Sequence, residues 1–119
     1  MKGKPEQVAG AILAASKHVR YVAIYRQGTL LVRERAGLEN ASSSESDKYE
    51  ELIVNPTLLK LVTQRGEIDC GGIRFVLIRY GNFFQCVIPA EGGHVSIGME
   101  AACDPLAELE KIRPMLDGE

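Results

Sequence analysis

Residues 86–99, CVIPAEGGHVSIGM, bring a thiol and an imidazole into one short stretch of sequence. A cysteine and a histidine can act as a nucleophile and its base, because the imidazole can generate the reactive thiolate. Alternation along the flanking strands, however, assigns Cys86 to the apolar face of a sheet and His94 to the opposite face. The pattern therefore predicts a buried core cysteine and a strand-end histidine, with the glycines in the turn between them.

The three cysteines, Cys70, Cys86 and Cys103, could in principle join His94 in a zinc site. The closely spaced ligand pairs of such sites are absent, so the sequence predicts no metal. An odd number of widely spaced cysteines indicates free thiols in a reducing compartment, and hence a cytoplasmic protein. Cys70 lies beside Asp69 outside the expected strands, which makes it the candidate nucleophile if the protein is a thiol enzyme.

The charges of the chain are nearly balanced, with a formal net charge of -2 at pH 7. Binding to nucleic acid or to a membrane surface would require clustered Lys and Arg, so neither is expected. No apolar run approaches the roughly 18 residues of a membrane span, and Glu6 and Gln7 interrupt the segment where a signal peptide would be apolar. The glycine pairs at 71–72 and 92–93 fit no phosphate-binding motif and are expected to be turn glycines.

Three arginines, Arg26, Arg33 and Arg35, gather on the first predicted hairpin with Glu34 among them. Charged side chains commonly protect an exposed sheet edge from pairing with other chains. The same cluster could instead form a positive patch that binds an acidic partner. Both interpretations stay open at the level of sequence.

Hydrophobic periodicity and turn residues predict the elements that position these side chains. A helix is expected over 5–19, a hairpin around Gln27-Gly28 and a flexible Ser-rich loop over 36–46. A turn of helix that begins near Asp47 and includes Tyr49, Leu52 and Ile53 follows, and then a middle helix over 56–64, capped by Asn55 and ended by Gly66. Strands over 71–80, 83–88 and 94–102 follow, joined by a type II′ turn at Gly81-Asn82 and a four-residue turn over 89–92. A helix that begins at Asp104-Pro105, and ends or kinks at Pro114, closes a single domain, 1–119, of order α-β-β-α-β-β-β-α.

The predicted register makes the last three strands agree on one apolar face. That face carries Leu77 on the first of these strands, Cys86 on the second and Ile97 on the third. The opposite face, which holds Val76, Ile78, His94 and Ser96 among others, is half apolar, whereas a solvated face would be more polar. A helix of this chain or a second subunit is therefore expected to cover part of it.

Three pieces of the sequence together resemble the roadblock/LC7 family, within the profilin-like and longin-like group of folds. They are YVAIYRQGTLLVRE, NPTLLKLVTQRG, and the segment from GGIRFVLIRY to AELEKI. Two features differ from the family: Arg26-Gln27-Gly28 stands where a short polar turn is usual, and the loop over 36–46 is long. The resemblance implies an α+β domain with a five-stranded antiparallel sheet and flanking helices.

The resemblance also implies a homodimer joined through the middle helix and the adjacent edge strand. The residues that it assigns to this interface are Leu58, Leu59, Val62, Arg74, Val76 and Ile78. Roadblock-like proteins typically scaffold or regulate small Ras-like GTPases, or act as subunits of motor and signalling complexes, and they bind no cofactor. The expected function is therefore a non-enzymatic, dimeric, cytoplasmic interaction module whose partner is a small GTPase. A profilin-like small-molecule sensor and a thiol enzyme that uses Cys70 are the alternatives.

Overall fold

Five antiparallel strands and the helices beside them follow one another in the predicted order. The computed structural model describes residues 3–116, so the two ends of the predicted domain 1–119 lie outside the described residues. The elements are α1 (Pro5–Ala15), β1 (Val19–Arg26), β2 (Thr29–Glu34), α2 (Ser44–Tyr49), a π-helical turn (Glu50–Val54), α3 (Asn55–Asp69), β3 (Val76–Arg79), β4 (Phe83–Ala90), β5 (Gly93–Glu100) and α4 (Pro105–Leu116). The sheet order is β2-β1-β5-β4-β3, which confirms the predicted α+β class.

The first helix is shorter than predicted, and the first hairpin has the predicted turn. α1 ends at Ala15, because Ser16 adopts an extended backbone with φ of -142°, and Val19 already belongs to β1. β1 and β2 are joined at Gln27-Gly28, whose φ values of 51° and 83° are both positive. Two positive φ values match the twist of antiparallel strands, and this turn sets Arg26 opposite Thr29.

The middle helix, residues 44–69, is one continuous element made of α2, the π-helical turn and α3. The prediction of a cap at Asn55 was wrong: Asn55 has helical φ and ψ of -64° and -45°. The π-helical turn lies just before Pro56, which has no N–H to donate to the carbonyls of the preceding turn. The hydroxyl of the next residue, Thr57 Oγ1, donates to the Ile53 carbonyl at 2.6 Å. The expected loop over 36–46 thus shortens to 36–43, and its flexibility stays a prediction.

Gly66 lies inside the helix, so the prediction that it ends the helix was also wrong. A Cβ on Gly66 would be 3.2 Å from the backbone of Gly72 and of Ile73. The chain leaving the helix therefore crosses close over this glycine, and its carbonyl accepts hydrogen bonds from the N–H groups of Cys70 and Gly72. Close backbone approach explains the glycine here better than a helix stop does.

The last three strands carry the predicted residues on each face, although β5 is shifted by two residues along β4 from its predicted register. Leu77 is opposite Cys86, Cys86 is opposite Ile97, and Ile88 is opposite Val95. The connections differ in detail. The turn between β4 and β5 contains Glu91 and Gly92 alone, which shortens the predicted turn by an even number of residues and so leaves every side chain on its predicted face.

The strand and turn before β4 also differ from their predictions. β3 starts at Val76, so residues 71–75 precede the strand, and β5 ends at Glu100 rather than at 102. Tyr80 N donates to Phe83 O at 2.9 Å across a two-residue turn, as predicted. Gly81 does not have the positive φ of a type II′ turn.

The main hydrophobic core lies between one face of the sheet and the pair α1 and α4. Its buried members from the helices are Val8, Ala9, Ile12, Leu109 and Ile112, and those from the sheet include Val22, Ile24, Cys86, Ile97 and Met99. Ala107 N donates to Asp104 Oδ1 at 3.3 Å, so the predicted cap of α4 is present, and the helix runs through Pro114 to Leu116. No helix among residues 3–116 has the length and apolarity needed to cross a membrane.

Candidate functional site

The outer side of the middle helix exposes four large apolar side chains. Tyr49, Ile53, Leu61 and Ile68 are 62%, 52%, 59% and 75% exposed, and we call them the apolar stripe. The residues that face the sheet, Glu51, Asn55, Leu59 and Gly66, fall on the other side of the same helix and are buried. Exposed Thr57 and Gln64 lie between the residues of the apolar stripe, on the same side of the helix as the stripe. Apolar groups exposed together on one side of a helix mark contacts with other molecules more often than isolated ones do.

The six residues predicted for a dimer interface lie on the middle helix, in β3 and just before β3. Leu58, Val62, Val76 and Ile78 are half-buried, Arg74 is exposed, and Leu59 is buried beneath the helix. Val76 and Ile78 pair with Val87 and Gln85 on the face of the sheet that the middle helix covers. Their part in an interface stays a prediction. A turn of helix that includes Tyr49 and Ile53 was predicted, but as an element separate from the helix that begins at Pro56, so the stripe that joins them to Leu61 and Ile68 was not predicted.

The three arginines of the first hairpin have different surroundings. Arg35 donates to the carbonyl oxygens of Val19 at 2.7 Å, Leu13 at 2.8 Å and Ser16 at 3.0 Å, so it links the end of α1 to the start of β1. Arg33 is exposed and donates to the Val32 carbonyl at 2.9 Å. Arg26 donates to the carbonyl of Gly3 at 3.4 Å. An acidic partner at this edge stays a prediction, and Arg35 in addition carries a structural role.

A buried polar cluster joins the middle helix to the sheet, with the carboxylate of Glu51 at its centre. Tyr21 Oη donates to Glu51 Oε2 at 2.7 Å, and Asn55 Nδ2 donates to Oε1 at 3.0 Å. His94 Nε2 lies 2.8 Å from Oε1, and Gln85 Nε2 lies 3.5 Å from Oε2. None of these five side chains is more than 8% exposed. We call these five residues and Ser96 the Glu51 cluster.

Ser96 completes the cluster by accepting from both amides. Gln85 Nε2 donates to Ser96 Oγ, and Asn55 Nδ2 lies 3.4 Å from the same oxygen. Among the buried side-chain nitrogen and oxygen atoms of residues 3–116, Asn55 Oδ1 alone lacks a hydrogen-bond partner. Near-complete pairing is the condition under which a buried charge is tolerated, because an unpaired one would carry a large desolvation cost.

Burial shapes the acid–base behaviour around the cluster. The pKa of Tyr21 is raised, first by burial and then by the negative charge of Glu51. Burial also raises the pKa of Glu50 and of Asp47, and Glu51 adds to both shifts, although the Tyr80 hydroxyl offsets part of the shift at Glu50. Tyr80 Oη donates to Glu50 at 2.8 Å. The carboxylates at this end of the middle helix therefore carry closely spaced negative charge.

A cavity of about 230 Å³ opens beside the cluster, between the sheet and the start of the middle helix. Tyr21, Glu50, Tyr80 and Phe83 are among its lining residues. Pockets for drug-sized ligands usually occupy about 300–1,000 Å³. The cavity is therefore below that range, and a ligand held in it would have to be small.

The cysteines and the histidine that could do chemistry lie apart, and Cys86 and His94 occupy opposite faces of the sheet as alternation predicts. Cys86 faces the main core opposite Ile97, whereas His94 belongs to the Glu51 cluster on the other face. Burial raises the pKa of the Cys86 thiol to about 12. Cys70 is exposed and its Sγ lies 3.4 Å from Asp69 Oδ1. Within 3–116, no three His, Cys, Asp or Glu side chains are grouped so as to hold a metal ion.

The Glu51 cluster was not predicted from sequence, although two signals for it exist. Gln85, His94 and Ser96 interrupt the half-apolar face that was expected to be covered. Glu51 and Asn55 are one helical turn apart, which places both on one side of the helix if that helix is taken to begin before Glu51 and to continue past Pro56. Reading Asn55-Pro56 as a helix start removed the second signal.

The described geometry is that of a roadblock/LC7-like fold, as the sequence resemblance predicted. No protein-family model matches the chain, and no curated protein matches it by sequence. A roadblock/LC7 domain from Streptomyces avermitilis aligns with a TM-score of 0.70 at 13% identity, over 98% of this chain and 94% of that one. At such low identity the likeness shows the fold alone.

Two further solved structures with this fold are Mgl proteins. MglB in a tetrameric arrangement aligns with a TM-score of 0.71 at 11% identity, over 99% of this chain and 89% of that one. MglC from Myxococcus xanthus aligns with a TM-score of 0.59 at 8% identity, over 95% of this chain and 93% of that one.

Proposed function

We propose that the chain is a non-enzymatic protein-interaction module that forms a homodimer and regulates or scaffolds a partner in the cytoplasm. The partner class that we expect is a small Ras-like GTPase, which is the typical partner of roadblock-like proteins. The observation that carries the proposal is the apolar stripe on the middle helix. Four large apolar side chains, each more than half exposed, are energetically unfavourable in water for a protein that acts alone.

The apolar stripe is suited to contact a second copy of itself. Leu61 lies near its middle, and Ile53 and Ile68 lie at nearly equal distances along the helix on either side. An antiparallel pair of such helices related by a two-fold axis would set Ile53 of one protomer against Ile68 of its partner. Two-fold interfaces use the same patch on both subunits, so a patch with this internal symmetry supports a homodimer.

The edge strand β3 supports the same arrangement. It is the last strand in the sheet order of the described residues, next to β4. Val76 and Ile78 are half-buried on the face shared with the middle helix. Pairing of β3 with its counterpart would continue the sheet across the two-fold axis and would cover an otherwise open edge. A tetrameric arrangement of the similar MglB is consistent with assembly through this fold.

Sedimentation velocity tests the dimer with two matched variants. Leu61→Asp places a charge in the centre of the apolar stripe, whereas Leu106→Asp changes a leucine that is 55% exposed on α4. We expect the wild type and Leu106→Asp to sediment as dimers and Leu61→Asp as a monomer. A wild-type monomer at high micromolar concentration would refute the dimer.

Partner binding needs its own measurement. Immobilised wild-type protein is incubated with Ras-like GTPases, each loaded with GDP or with a non-hydrolysable GTP analogue. We expect retention that depends on the nucleotide, because a regulator must distinguish the two states. Equal, negligible retention of both states by every GTPase tested would remove this partner class and leave the interaction module without it.

A small-ligand sensor is the second candidate, because the cavity beside Glu50 and Tyr80 could hold a small molecule. Its modest volume makes this candidate the weaker one. Native mass spectrometry of the purified protein distinguishes the two, since a bound metabolite would add a defined mass. For the thiol-enzyme alternative, Cys70→Ser should leave every measured activity unchanged under our proposal.

A further inference from the structure

The Glu51 cluster connects the middle helix to three strands at once. Tyr21 comes from β1, Gln85 from β4 and His94 from β5, and all three reach the same carboxylate. The partners are far apart in sequence, so their convergence depends on how the helix is seated. The remaining contact of that carboxylate, from Asn55, comes from the next turn of the helix itself.

Every partner of Glu51 is able to donate a hydrogen bond to it. An ionised carboxylate only accepts hydrogen bonds, so it suits a site in which a hydroxyl, two amide NH₂ groups and an imidazole N–H all point inward. A buried carboxylate is costly when it loses these donors. Displacing or rotating the helix by one residue would withdraw Glu51 from the three strands. The cluster therefore favours a single rotation and a single axial position of the helix.

The same rotation decides where the apolar stripe points. Glu51 lies in the π-helical turn between Tyr49 and Ile53, whose side chains are 62% and 52% exposed on the opposite side of the helix. A rotation that removed Glu51 from its donors would turn Ile53 away from its outward direction. The buried carboxylate and the exposed stripe are thus two sides of one rigid turn.

We propose that Glu51 is the positioning residue of the interaction surface: by holding the middle helix in one rotation on the sheet, its buried carboxylate presents the apolar stripe to a partner. The claim that Glu51 matters for assembly rests on the proposed function. The claim that Glu51 holds the helix in place does not. Local loosening of the helix is the direct consequence of losing this anchor, and assembly changes are the indirect one.

Hydrogen exchange with two neighbouring variants tests the anchor. Glu51→Gln keeps the shape of the side chain, but whichever way the amide turns, its NH₂ group replaces an oxygen that accepts from the NH₂ group of Asn55 or of Gln85. Glu50→Gln makes the same chemical change one residue earlier, where the carboxylate accepts from Tyr80 and not from the cluster. Both are made in the Leu61→Asp background, so that assembly through the stripe cannot protect the helix.

We expect Glu51→Gln to accelerate amide exchange over 44–69 by roughly tenfold or more, with α1 and α4 unchanged. Glu50→Gln should not accelerate exchange there. Unchanged exchange in Glu51→Gln would overturn the proposal. Acceleration that spreads evenly over α1, α4 and the middle helix would also overturn it, because Glu51 would then contribute to global stability and not to the position of one helix.

A second pair of variants applies if Glu51→Gln does not fold. His94→Gln retains an N–H that can reach Glu51, and His94→Leu does not. Faster exchange over 44–69 in His94→Leu, with His94→Gln close to the parent, would support the anchor, and equal protection in both would overturn it.

Assembly is then measured with Leu61 restored, where Glu51→Gln should weaken dimerisation at least about tenfold relative to Glu50→Gln. If the wild type proves monomeric, the proposed function fails on that result alone, while the exchange data still decide whether Glu51 positions the helix. If the wild type is a dimer and Glu51→Gln dimerises equally well, the link between the anchor and the interaction surface is refuted.

Discussion

Gly93 lies directly against the carbonyl of Tyr25, at the start of β5. A Cβ at this glycine would stand 1.8 Å from Tyr25 O, inside the backbone of the neighbouring strand. We expect Gly93→Ala to force β1 and β5 apart and to lower the free energy of unfolding by about 3 kcal/mol or more. Urea denaturation followed by far-UV circular dichroism measures the loss.

Gly81→Ala is the matched control for this prediction. Gly81 lies in the turn between β3 and β4, its φ is not positive, and no atom beyond its chain neighbours lies within 4 Å of a Cβ built there. Its stability should stay within about 0.5 kcal/mol of the wild type. Equal stability of both alanine variants would show that β1 and β5 do not approach as described.

Arg35 should matter for stability in a way that Arg33 does not. Arg35→Met removes the guanidinium that donates to three carbonyls at the junction of α1 and β1. Hydrogen bonds from a charged group contribute about 1.5–3 kcal/mol, so we expect a loss of roughly that size for the set. Arg33→Met, at an exposed site, should change the unfolding free energy by less than about 0.5 kcal/mol. A loss as large in Arg33→Met as in Arg35→Met would contradict the assignment.

Glu50 should destabilise the fold increasingly as the pH rises. Burial and the nearby charges of Glu51 and Asp47 raise the pKa of Glu50 in the folded state. The folded state therefore keeps a proton that the unfolded state releases, and the resulting cost grows as pH rises from the ordinary pKa of 4.5 and is complete above the folded pKa. Glu50→Gln removes that cost and retains an oxygen that can accept from Tyr80.

Denaturation of Glu50→Gln and wild type at several pH values between about 4 and 7.5 measures this effect. The variant should gain stability over the wild type as pH increases, with little difference at the acidic end. A difference that is constant with pH, or that shrinks as pH rises, would show that the carboxyl is not held in the buried environment described.

The cysteines should differ sharply in reactivity. Cys70 is exposed, whereas Cys86 is fully buried and burial raises its thiol pKa to about 12. With a thiol reagent near pH 8, Cys70 should be modified at least about a hundredfold faster than Cys86, which should react only as the domain unfolds. Peptide mapping after timed quenching reports both sites, and Cys70→Ser provides the control. Rapid labelling of Cys86 in the folded protein would contradict its place in the core.

Alternation was enough to predict which side of the sheet Cys86 and His94 occupy. Because side chains alternate with a period of two, an error of an even number of residues in the turn before β5 changed no face. The partner of His94 could not be obtained in this way. Glu51 and His94 are 43 residues apart, and no local pattern specifies that a helical carboxylate will lie over a particular strand position.

Local stop signals failed in the middle helix for a related reason. Asn55 and Gly66 are typical of helix ends, yet here the Asn55 amide donates to Glu51 and Gly66 gives room to the backbone of Gly72. Contacts made only in the folded molecule thus replaced the roles that these residues usually have at helix ends. The apolar stripe becomes apparent once the helical period is continued through both positions.

The position of β5 between β1 and β4 has a consequence for how the chain is made. β2 follows β1 after a two-residue turn, so these two strands can pair early in synthesis. β5, the other neighbour of β1, is present only after residues 93–100 have been translated. A nascent chain that stops before this point carries open edges on both β1 and β4. Long-range pairing of this kind slows folding and exposes unpaired strands, so the sheet can close only after residues 93–100 have been translated.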